Sequence, residues 1–442
     1  ACVMCAKGKE DTMVPETYQV DAGGHITIGG MRIEDLAAKF GTPLYVFDYQ
    51  TLVNRLTMFQ TAVSQSPVPG MVAYAAKAFF TVPMGRLIQS LGLGLDVVSG
   101  GELFTALAAG VDPQRIMFHG NVKTPEEIAW GLDRGVGYWV VDSLDELDQL
   151  DQAAGERHQE AAVVLRLTPG IDAHTHAFIR TGHFDSKFGF AMAEGISDQA
   201  VEQVLNARHL RLAGFHAHIG SQILETEPFL ANAEALLRYS RSWYDQKGWW
   251  PEVLDIGGGF GVRYQPDDDP PNPAAIIQTV QSLLAEWTPA TQRPPRLIVE
   301  PGRSVVAEAG VTIYTVRARK TTPGGHGYVA VDGGMGDNIR PALYQAVYQA
   351  EIDGKVHSDR RIPVSLVGRY CESGDVLIPE AHLPAADVGD RVVVFGTGAY
   401  NYAMASTYNR VPRPAVVVVR EGQPTVWVRR ETWQDLITLD NP

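Results

Sequence analysis

Three segments of the chain carry residues that can do chemistry, and each follows a short apolar run. Lys77 follows the apolar residues AYAA within AYAAKAFF, where a buried ammonium needs a partner; a Schiff base with a carbonyl group is one use, and an ion pair or solvent exposure is another. The glycines at 257–259 follow LDI and can approach an anion closely, although such runs also form tight turns. Glu300 could keep a pyridine nitrogen protonated or pair with Arg303. Together, these three features favour a site for pyridoxal 5'-phosphate (PLP).

Two H-x-H patterns raise the question of a metal, His174-Thr-His176 and His216-Ala-His218. In a strand, residues two apart share a face, so each pair could chelate an ion. No other nearby set of cysteine, histidine and carboxylate completes a site at a recognisable spacing, and His218 can instead stack on an aromatic cofactor. We therefore predict that the protein has no metal site.

These residues need elements that bring them together. From residue 71 onward, eight short apolar runs alternate with helix-length segments such as TPEEIAWGLDRG (124–135). The runs are MVAYA (71–75), LDVVS (95–99), RIMFHG (115–120), YWVVDS (138–143), AVVLRL (162–167), LAGFHAHIG (212–220), EVLDIGGG (252–259) and RLIVEPGR (296–303). Eight strand–helix units predict an α/β fold with a (β/α)8 TIM barrel.

Polar residues at the ends of these runs support the same architecture, because barrel active sites form at the C-terminal ends of the strands. Such residues are Lys77, Ser99, His119, Asp142, Arg166, His218, the glycines at 257–259, Glu300 and Arg303. A doubly wound open sheet would also place ligands at strand ends. The glycine cluster, however, follows the seventh run, where barrels commonly bind phosphate, and not the first.

The sequence after Arg303 is rich in strand signals and predicts a second, mainly antiparallel β domain. The segments are VVAEAGVTIYTVRAR (305–319), YVAVDGG (328–334), PVSLVG (363–368), RVVVFG (391–396) and the hairpin AVVVVREGQPTVWVRR (415–430). HITIGG (25–30) and PLYVFD (43–48) precede the barrel and could join that sheet. The predicted domains are 1–45, N-terminal strands that join the β domain; 46–308, the barrel; and 309–442, the β domain.

The composition of the 442 residues, 45% hydrophobic with a net charge of -14, is that of an ordinary globular protein. Acidic and basic residues are mixed along the chain, so we expect a small-molecule partner, not a nucleic acid or a membrane. Three cysteines and no apolar run of about 20 residues predict a cytoplasmic protein without a disulfide framework. Cys2 and Cys5 lack a second pair that would complete a metal site, and Cys371 lies among polar residues in GRYCESGDVL.

Several of these segments resemble motifs of the alanine racemase-like fold of PLP enzymes, and within it the group that decarboxylates diaminopimelate, ornithine and arginine. AYAAKAFF resembles the Schiff-base lysine motif, HAHIGSQ the ring-stacking histidine motif, and LDIGGGF and EPGR the phosphate and ring-nitrogen motifs. The resemblance runs from about Gly41 to Pro414. It implies that the PLP contacts are Lys77, His218, Ser221, Gly258, Gly259, Glu300, Pro301, Gly302, Arg303 and Tyr400.

Four further segments resemble those of members that act on meso-2,6-diaminopimelate: GIDAHTHAFIRTGHFDSKFG (170–189), DNIRPALY, CESGDVL and GAYNYAMASTYN. The resemblance implies the substrate contacts Arg303, Arg340, Tyr344, Glu372 and Tyr400, and the catalytic residues Lys77, Cys371, Glu300 and His218. It also implies a homodimer in which the CES motif acts across the interface, with Cys371 as the proton donor. A substrate with two carboxylates and two amines needs several arginines and at least one carboxylate. The implied reaction yields L-lysine and CO2.

Three alternatives stay open at this stage. A decarboxylase for ornithine, arginine or carboxynorspermidine would share the fold, but these substrates lack the distal carboxylate or place it differently. An amino-acid racemase typically carries an arginine where this chain has Glu300. A PLP-binding homeostasis protein without turnover would resemble the barrel alone, whereas this chain has a full second domain.

Overall fold

The computed structural model describes residues 13–171, 187–193 and 195–441. Its strands are β1 (Gln19–Val20), β2 (Ile26–Ile28), β3 (Met31–Arg32), β4 (Leu44–Asp48), β5 (Gly70–Ala75), β6 (Gly94–Val97), β7 (Ile116–Phe118), β8 (Tyr138–Val141), β9 (Ala161–Thr168), β10 (Phe190–Ala191), β11 (Leu210–His216), β12 (Val253–Asp255), β13 (Arg296–Val299), β14 (Gly310–Thr321), β15 (Gly327–Val331), β16 (Ala350–Ile352), β17 (Arg361–Val367), β18 (Val376–Pro384), β19 (Arg391–Val394), β20 (Ala415–Arg420) and β21 (Gln423–Val428). Its α-helices are α1 (Ile33–Phe40), α2 (Tyr49–Ser64), α3 (Val82–Ser90), α4 (Gly100–Ala108), α5 (Pro125–Asp133), α6 (Leu144–Glu156), α7 (Ile196–Asn206), α8 (Glu227–Lys247), α9 (Pro273–Trp287), α10 (Arg303–Val306), α11 (Arg340–Tyr344) and α12 (Trp433–Ile437).

These elements form two compact units. The barrel unit comprises residues 56–261 and 270–302, and the β unit comprises the residues up to 55, 262–269 and those from 303 onward. The predicted boundaries lay at 45/46 and 308/309. The β unit extends further, to residue 55 in α2, because Thr51 in the first turn of that helix bonds to residues of the β unit. The N–H of Thr51 donates to Asp48 Oδ2, and its hydroxyl oxygen accepts from the N–H of Glu16.

The barrel unit is built around eight parallel strands that close on themselves. The order runs β5, β6, β7, β8, β9, β11, β12 and β13, and β13 pairs in parallel with β5 again. Each apolar run of the sequence forms one of these strands, so the barrel prediction is confirmed. Buried side chains from seven of the eight strands fill its interior: Ala73, Met117, Val140, Val164, Ala213, Val253 and Ile298.

Capping residues start several barrel helices directly after a strand. Ser99, Thr124 and Ser143 each accept a hydrogen bond from the backbone N–H three residues later, which satisfies a donor that the helix leaves open. Thr124 forms a full capping box with Glu127. The chain therefore turns within a few residues of each strand end, and the polar residues at those ends stay at one end of the barrel.

A buried ion pair ties two of these strand ends together. The Nζ atom of Lys123, whose side chain is fully buried, donates to the carbonyl oxygens of Gly120 and Val140 and to Oε1 of Glu146 at 2.6 Å. All three donors of the ammonium are used, which is the condition under which a buried charge is tolerated. The pair holds the segment after β7 against the end of β8.

The β unit contains a nine-stranded, mainly antiparallel sheet. Its main path is β18-β17-β15-β14-β4-β20-β21, and β19 pairs with β14 and β16. The pairs β15–β17 and β4–β20 are parallel, and the hairpin β20–β21 is antiparallel as the sequence predicted. The predicted strand from 305 begins only at Gly310, because α10 continues to Val306 and residues 307–309 form a turn.

The N-terminal strands divide between two sheets. β4 lies inside the large sheet, between β14 and β20. The strand in HITIGG pairs instead with β1 and β3 in a separate three-stranded sheet, so it does not join the large sheet. Its buried residues Ile26 and Ile28 pack in a common core with residues of β4 and β20, which explains its place in the β unit.

Among the described residues, no helix is both long enough and apolar enough to cross a lipid bilayer.

Candidate active site

Lys77 and Asp96 lie at the ends of neighbouring barrel strands. Lys77 occupies a short 3-10 turn directly after β5, and its Nζ atom lies 3.6 Å from Oδ2 of Asp96 in β6. The side chain of Asp96 is 1% exposed, and that of Lys77 is 43% exposed. Neither oxygen of Asp96 has a hydrogen-bond partner among the described residues. The lysine amine is thus accessible and lies beside a buried carboxylate.

The carboxylate of Glu300, which follows β13, lies between two imidazoles. Its Oε2 atom is 3.2 Å from Nε2 of His216, and its Oε1 atom is 2.5 Å from Nε2 of His119, though without hydrogen-bond geometry. The side chain is only 3% exposed. Burial by itself would raise the pKa of Glu300, but the two imidazoles hold it well below its usual value. Glu300 is therefore a buried negative charge with one acceptor oxygen still to satisfy.

Asp255 at the end of β12 completes this cluster. One ligand atom from each of His119, His216, Asp255 and Glu300 lies within 4.8 Å of the others, and all four residues are buried. Burial and the charge of Glu300 raise the pKa of Asp255 well above its ordinary value. Burial lowers the pKa of His216 to about 4.

This donor set could hold a metal ion by geometry, and the sequence pattern had not indicated it, because the four residues come from separate strands. His174 and His176 lie outside the described residues. The set also fits a protonated pyridine ring, since an N–H donor would satisfy the open oxygen of Glu300 and favour its charge. That fit, with an amine at Lys77 on the same end of the barrel, is what PLP requires.

The glycine loop after β12 packs tightly against its neighbours. A Cβ atom on Gly258 would lie 2.2 Å from the carbonyl oxygen of Glu300, and Gly257 and Gly259 have φ values of +70° and +97°. Only glycine suits these positions. Two of the loop amides have acceptors inside the protein: Gly257 N–H donates to Asp255 Oδ1, and Gly258 N–H donates to His218 Nδ1.

His218 is held as a neutral imidazole by this contact. Because Nδ1 accepts a hydrogen bond, the ring carries its proton on Nε2. Burial, followed by the charge of Lys77, lowers the pKa of His218 well below its ordinary value. A neutral ring can lie against a flat cofactor without placing a further cation in the site.

Other strand-end residues have structural partners. Ser99 caps α4, Asp142 accepts a hydrogen bond from Gly189 N–H, and Arg166 lies 4.4 Å from the ring centroid of Phe188. Ser221 is exposed in the segment after β11. The residues of the predicted loop at 172–186 lie outside the described part of the chain.

Within the β unit, two arginines converge on one phenol. Nη1 of Arg303 and Nη1 of Arg340 lie 3.0 and 3.2 Å from the hydroxyl oxygen of Tyr264. Arg340 also donates to Tyr348 at 2.7 Å, and the guanidinium of Arg303 lies 5.0 Å from the ring centroid of Tyr400. Sequence reasoning named both arginines and Tyr400 but missed Tyr264 and Tyr348, because no pattern in the sequence marks them.

Arg340 is the key group of this arrangement. It is 6% exposed, and within the described part of the chain it forms no ion pair with a carboxylate. A buried guanidinium whose acceptors are phenol oxygens favours binding of an anion such as a carboxylate.

The remaining predicted substrate residues of the β unit are exposed. Tyr344 is 61% exposed at the end of α11, and Cys371 and Glu372 lie on an exposed turn. Asp375 holds that turn, since its carboxylate accepts hydrogen bonds from the N–H groups of Tyr370 and Met335. No hydrogen bond or ion pair between described residues joins Cys371 or Glu372 to the two arginines. Roles for these three residues therefore stay predictions.

Comparison with known proteins agrees with this chemistry. Residues 50–307 match the family model described as "Pyridoxal-dependent decarboxylase, pyridoxal binding domain". The chain therefore belongs to the pyridoxal-dependent decarboxylases, and its cofactor is PLP.

Within that family, several relatives that match along nearly the whole chain are diaminopimelate decarboxylases. A diaminopimelate decarboxylase of Bacillus subtilis is 46% identical over 427 residues, which cover 96% of this chain and 97% of the relative. One from Staphylococcus aureus is 40% identical, with 96% and 99% covered. The crystal structure of diaminopimelate decarboxylase from M. jannaschii in complex with L-lysine has a TM-score of 0.90 and 34% identity, and covers 97% of this chain and 98% of that one. The chain thus belongs with the diaminopimelate decarboxylases.

We predict that Lys77 carries the cofactor. The Lys77→Ala enzyme, mixed with PLP, should lack both the visible absorbance of the loaded protein and a cofactor link that borohydride makes permanent, because no other amine lies at the end of β5. Lys247→Ala, which removes an exposed lysine paired with Glu202 in the same unit, should keep both signals. Retention of a reducible link in the Lys77 variant would refute the assignment.

Proposed function

We propose that this protein decarboxylates meso-2,6-diaminopimelate to L-lysine and CO2 with PLP as its cofactor. The observation that carries the proposal is the meeting of the guanidiniums of Arg303 and the buried Arg340 at one hydrogen-bond acceptor, the phenol of Tyr264. A second carboxylate on the substrate would place a negative charge beside Arg340, which forms no ion pair with a carboxylate among the described residues. The relatives named diaminopimelate decarboxylase, which match along nearly the whole chain, support the same substrate.

Each barrel residue has a distinct task in this proposal. PLP, when bound, supplies the electron sink that takes up the electron pair of the bond to the departing carboxyl group. Lys77 binds the cofactor, and Asp96 beside its Nζ atom favours a positive charge there. Glu300 keeps a proton on the ring nitrogen, because its own charge is stabilised by His119 and His216. His218 lies against the ring, and Ser221, Gly258, Gly259, Pro301 and Gly302 line the cofactor.

The residues of the β unit bind the substrate and return a proton. Arg303 and Arg340 hold the carboxylate that is not lost, and Tyr344 and Tyr400 complete the contacts. Glu372 binds a substrate amine. Cys371 gives its Sγ proton to the carbon that has lost CO2, and the thiolate regains a proton from solvent.

A homodimer completes the proposal. Cys371 and Glu372 lie on an exposed turn of the β unit and resemble a motif that acts across an interface. In a two-fold dimer each chain would therefore give its CES turn to the active site of the other, and both sites would be equivalent. We propose a cytoplasmic enzyme without nucleic-acid or membrane partners.

The competing functions are disfavoured by the same residues. Ornithine and arginine have no distal carboxylate, so they would leave the buried guanidinium of Arg340 without an anion. A PLP homeostasis protein resembles the barrel alone, whereas the relatives of this chain match both units.

The first prediction from the proposed function concerns substrate choice. CO2 release by the PLP-loaded enzyme should be fastest with meso-diaminopimelate, and L-lysine should appear in equal amount. Catalytic efficiency with ornithine and arginine should be lower by roughly 100-fold or more, because each lacks the charge-assisted bonds to the arginines. Comparable turnover of ornithine would contradict the proposed substrate.

The second prediction separates binding from electron withdrawal. Arg340→Ala should raise KM by about 10- to 100-fold with a smaller change in kcat, since a lost charge-assisted bond costs on the order of 1.5–3 kcal/mol. Glu300→Ala should instead depress kcat. Arg241→Ala, which removes an exposed arginine paired with Asp245, is the matched control and should change neither. The opposite pattern in the two active-site variants would show that the roles are exchanged.

The third prediction tests the shared site. Lys77→Ala and Cys371→Ala chains, unfolded and refolded together in equal amounts, should form mixed dimers in about half of the population, each with one intact site. Activity should therefore return to about a quarter of the native level. Refolding Lys77→Ala with the Lys77→Ala/Cys371→Ala double variant allows no intact site and should stay inactive. If the first mixture also stays inactive while it forms PLP-loaded dimers, the lysine and the cysteine act within one chain.

A further inference from the structure

Tyr264 lies in a short segment that belongs to the β unit, although the residues before and after it in sequence belong to the barrel unit. Residues 262–269 follow the glycine loop along the chain but belong to the β unit, after which the chain returns to the barrel at Pro270. The sequence there, VRYQPDDD, has no catalytic signature. Its one large aromatic side chain nevertheless accepts hydrogen bonds from two arginines.

The segment is folded into a tight turn that fixes this tyrosine. Oδ2 of Asp268 accepts hydrogen bonds from the N–H groups of both Tyr264 and Gln265, at 2.9 Å each. Nε of Arg263 donates to the carbonyl oxygen of Asp268 at 2.8 Å. The ring of Tyr264 meets the ring of Tyr348 edge to face, with centroids 6.1 Å apart. The backbone hydrogen bond of Tyr264 and the ring contact with Tyr348 thus both fix the position of its hydroxyl group.

The hydrogen-bonding capacity of the hydroxyl group explains why a tyrosine suits this position. A phenol oxygen can accept two hydrogen bonds and can still donate one. Arg303 and Arg340 occupy the accepting role, so the O–H proton is the group that can point to a further acceptor. An anion bound by the two guanidiniums would be such an acceptor.

We infer that Tyr264 is a positioning and specificity residue, which aligns Arg303 and Arg340 to recognise the carboxylate that the substrate keeps. The inference rests on the proposed function, because it takes the two arginines as the binding site of that carboxylate. The inference requires that the hydrogen-bond acceptor shared by the two arginines carries no charge. A glutamate at this position would pair with both arginines and compete with the substrate, whereas the phenol holds them without neutralising their charge.

Tyr348 provides Arg340 with a second hydrogen-bond acceptor. Its hydroxyl oxygen accepts from Arg340 at 2.7 Å, and burial raises its pKa to about 12, so it is also a neutral acceptor at ordinary pH. Arg340 is therefore held between two phenols, and Tyr264 connects it to Arg303. Loss of the Tyr264 hydroxyl should uncouple the two arginines while each remains in place.

The test compares two ligands that differ in one carboxylate. L-lysine keeps the carboxylate that the reaction leaves in place, and 1,5-diaminopentane has none. Binding of each to the PLP-loaded enzyme is followed by the change in visible absorbance. In Tyr264→Phe, which retains the ring, the dissociation constant of L-lysine should rise about tenfold, and that of 1,5-diaminopentane should stay within about twofold.

Steady-state kinetics should show the same division. KM for meso-diaminopimelate should rise about tenfold in Tyr264→Phe, with kcat within about twofold of the native value. Tyr244→Phe is the matched control, since that hydroxyl bonds only to Thr291 at an exposed place in the barrel unit, and it should behave as native. A melting temperature close to native shows that Tyr264→Phe folds.

A double-mutant cycle decides whether Tyr264 acts through the arginines. If it does, adding Tyr264→Phe to Arg340→Ala should weaken L-lysine binding by much less than tenfold. Equal weakening of both ligands, full additivity in the cycle, or native L-lysine affinity would each overturn the inference. These binding measurements need no turnover. If the native enzyme fails to convert meso-diaminopimelate, the proposed function is refuted. The binding data for Tyr264→Phe can still be interpreted by themselves.

Discussion

The buried charge of Glu300 is the interaction on which the barrel site depends. Taking a carboxylate out of water costs several kcal/mol even after the protein relaxes around it, so the charge persists only where partners offset that cost. His119 and His216 provide them, and the raised pKa of Asp255 disfavours a second negative charge beside Glu300. The result is a fixed negative potential at one point, which is what a pyridine ring needs in order to stay protonated.

The barrel architecture makes this arrangement possible. The four residues come from the ends of β7, β11, β12 and β13, which are far apart in sequence. Parallel strands that close into a barrel bring all their carboxyl ends to one face. The Lys123–Glu146 pair and the close approach of Gly258 to Glu300 then restrict how the loops at that face can move.

In the β unit, the buried charge is positive instead of negative. Arg340 is buried and positively charged, and its acceptors are the phenols of Tyr264 and Tyr348. These acceptors bond to the N–H donors, and among the described residues no carboxylate pairs with the Arg340 charge. A site of this kind binds an anion strongly and discriminates against ligands that lack one, since such ligands leave the guanidinium desolvated without any compensation.

The sequence by itself determined the barrel, the β-rich second domain and the residues that repeat known chemistry. Local patterns were sufficient there, because the alternation of apolar runs and capped helices specifies strand–helix units, and Lys77, Glu300 and Arg340 lie in short recognisable motifs. It misjudged HITIGG, whose alternating pattern shows that a strand forms but not which sheet it joins. It also did not show that the amides of Gly257 and Gly258 bond to Asp255 and His218.

Only the tertiary structure decided which polar residues act together. Asp96, Asp255 and Tyr264 stand in segments that look like ordinary strand or loop, and nothing near them in sequence indicates a partner. Their importance comes from contacts over tens of residues, such as the bond from Arg340 to Tyr264 and the proximity of Asp255 to Glu300. Hydrogen bonds and charge interactions depend on distance in space, so a role that rests on them becomes visible only once the chain is folded.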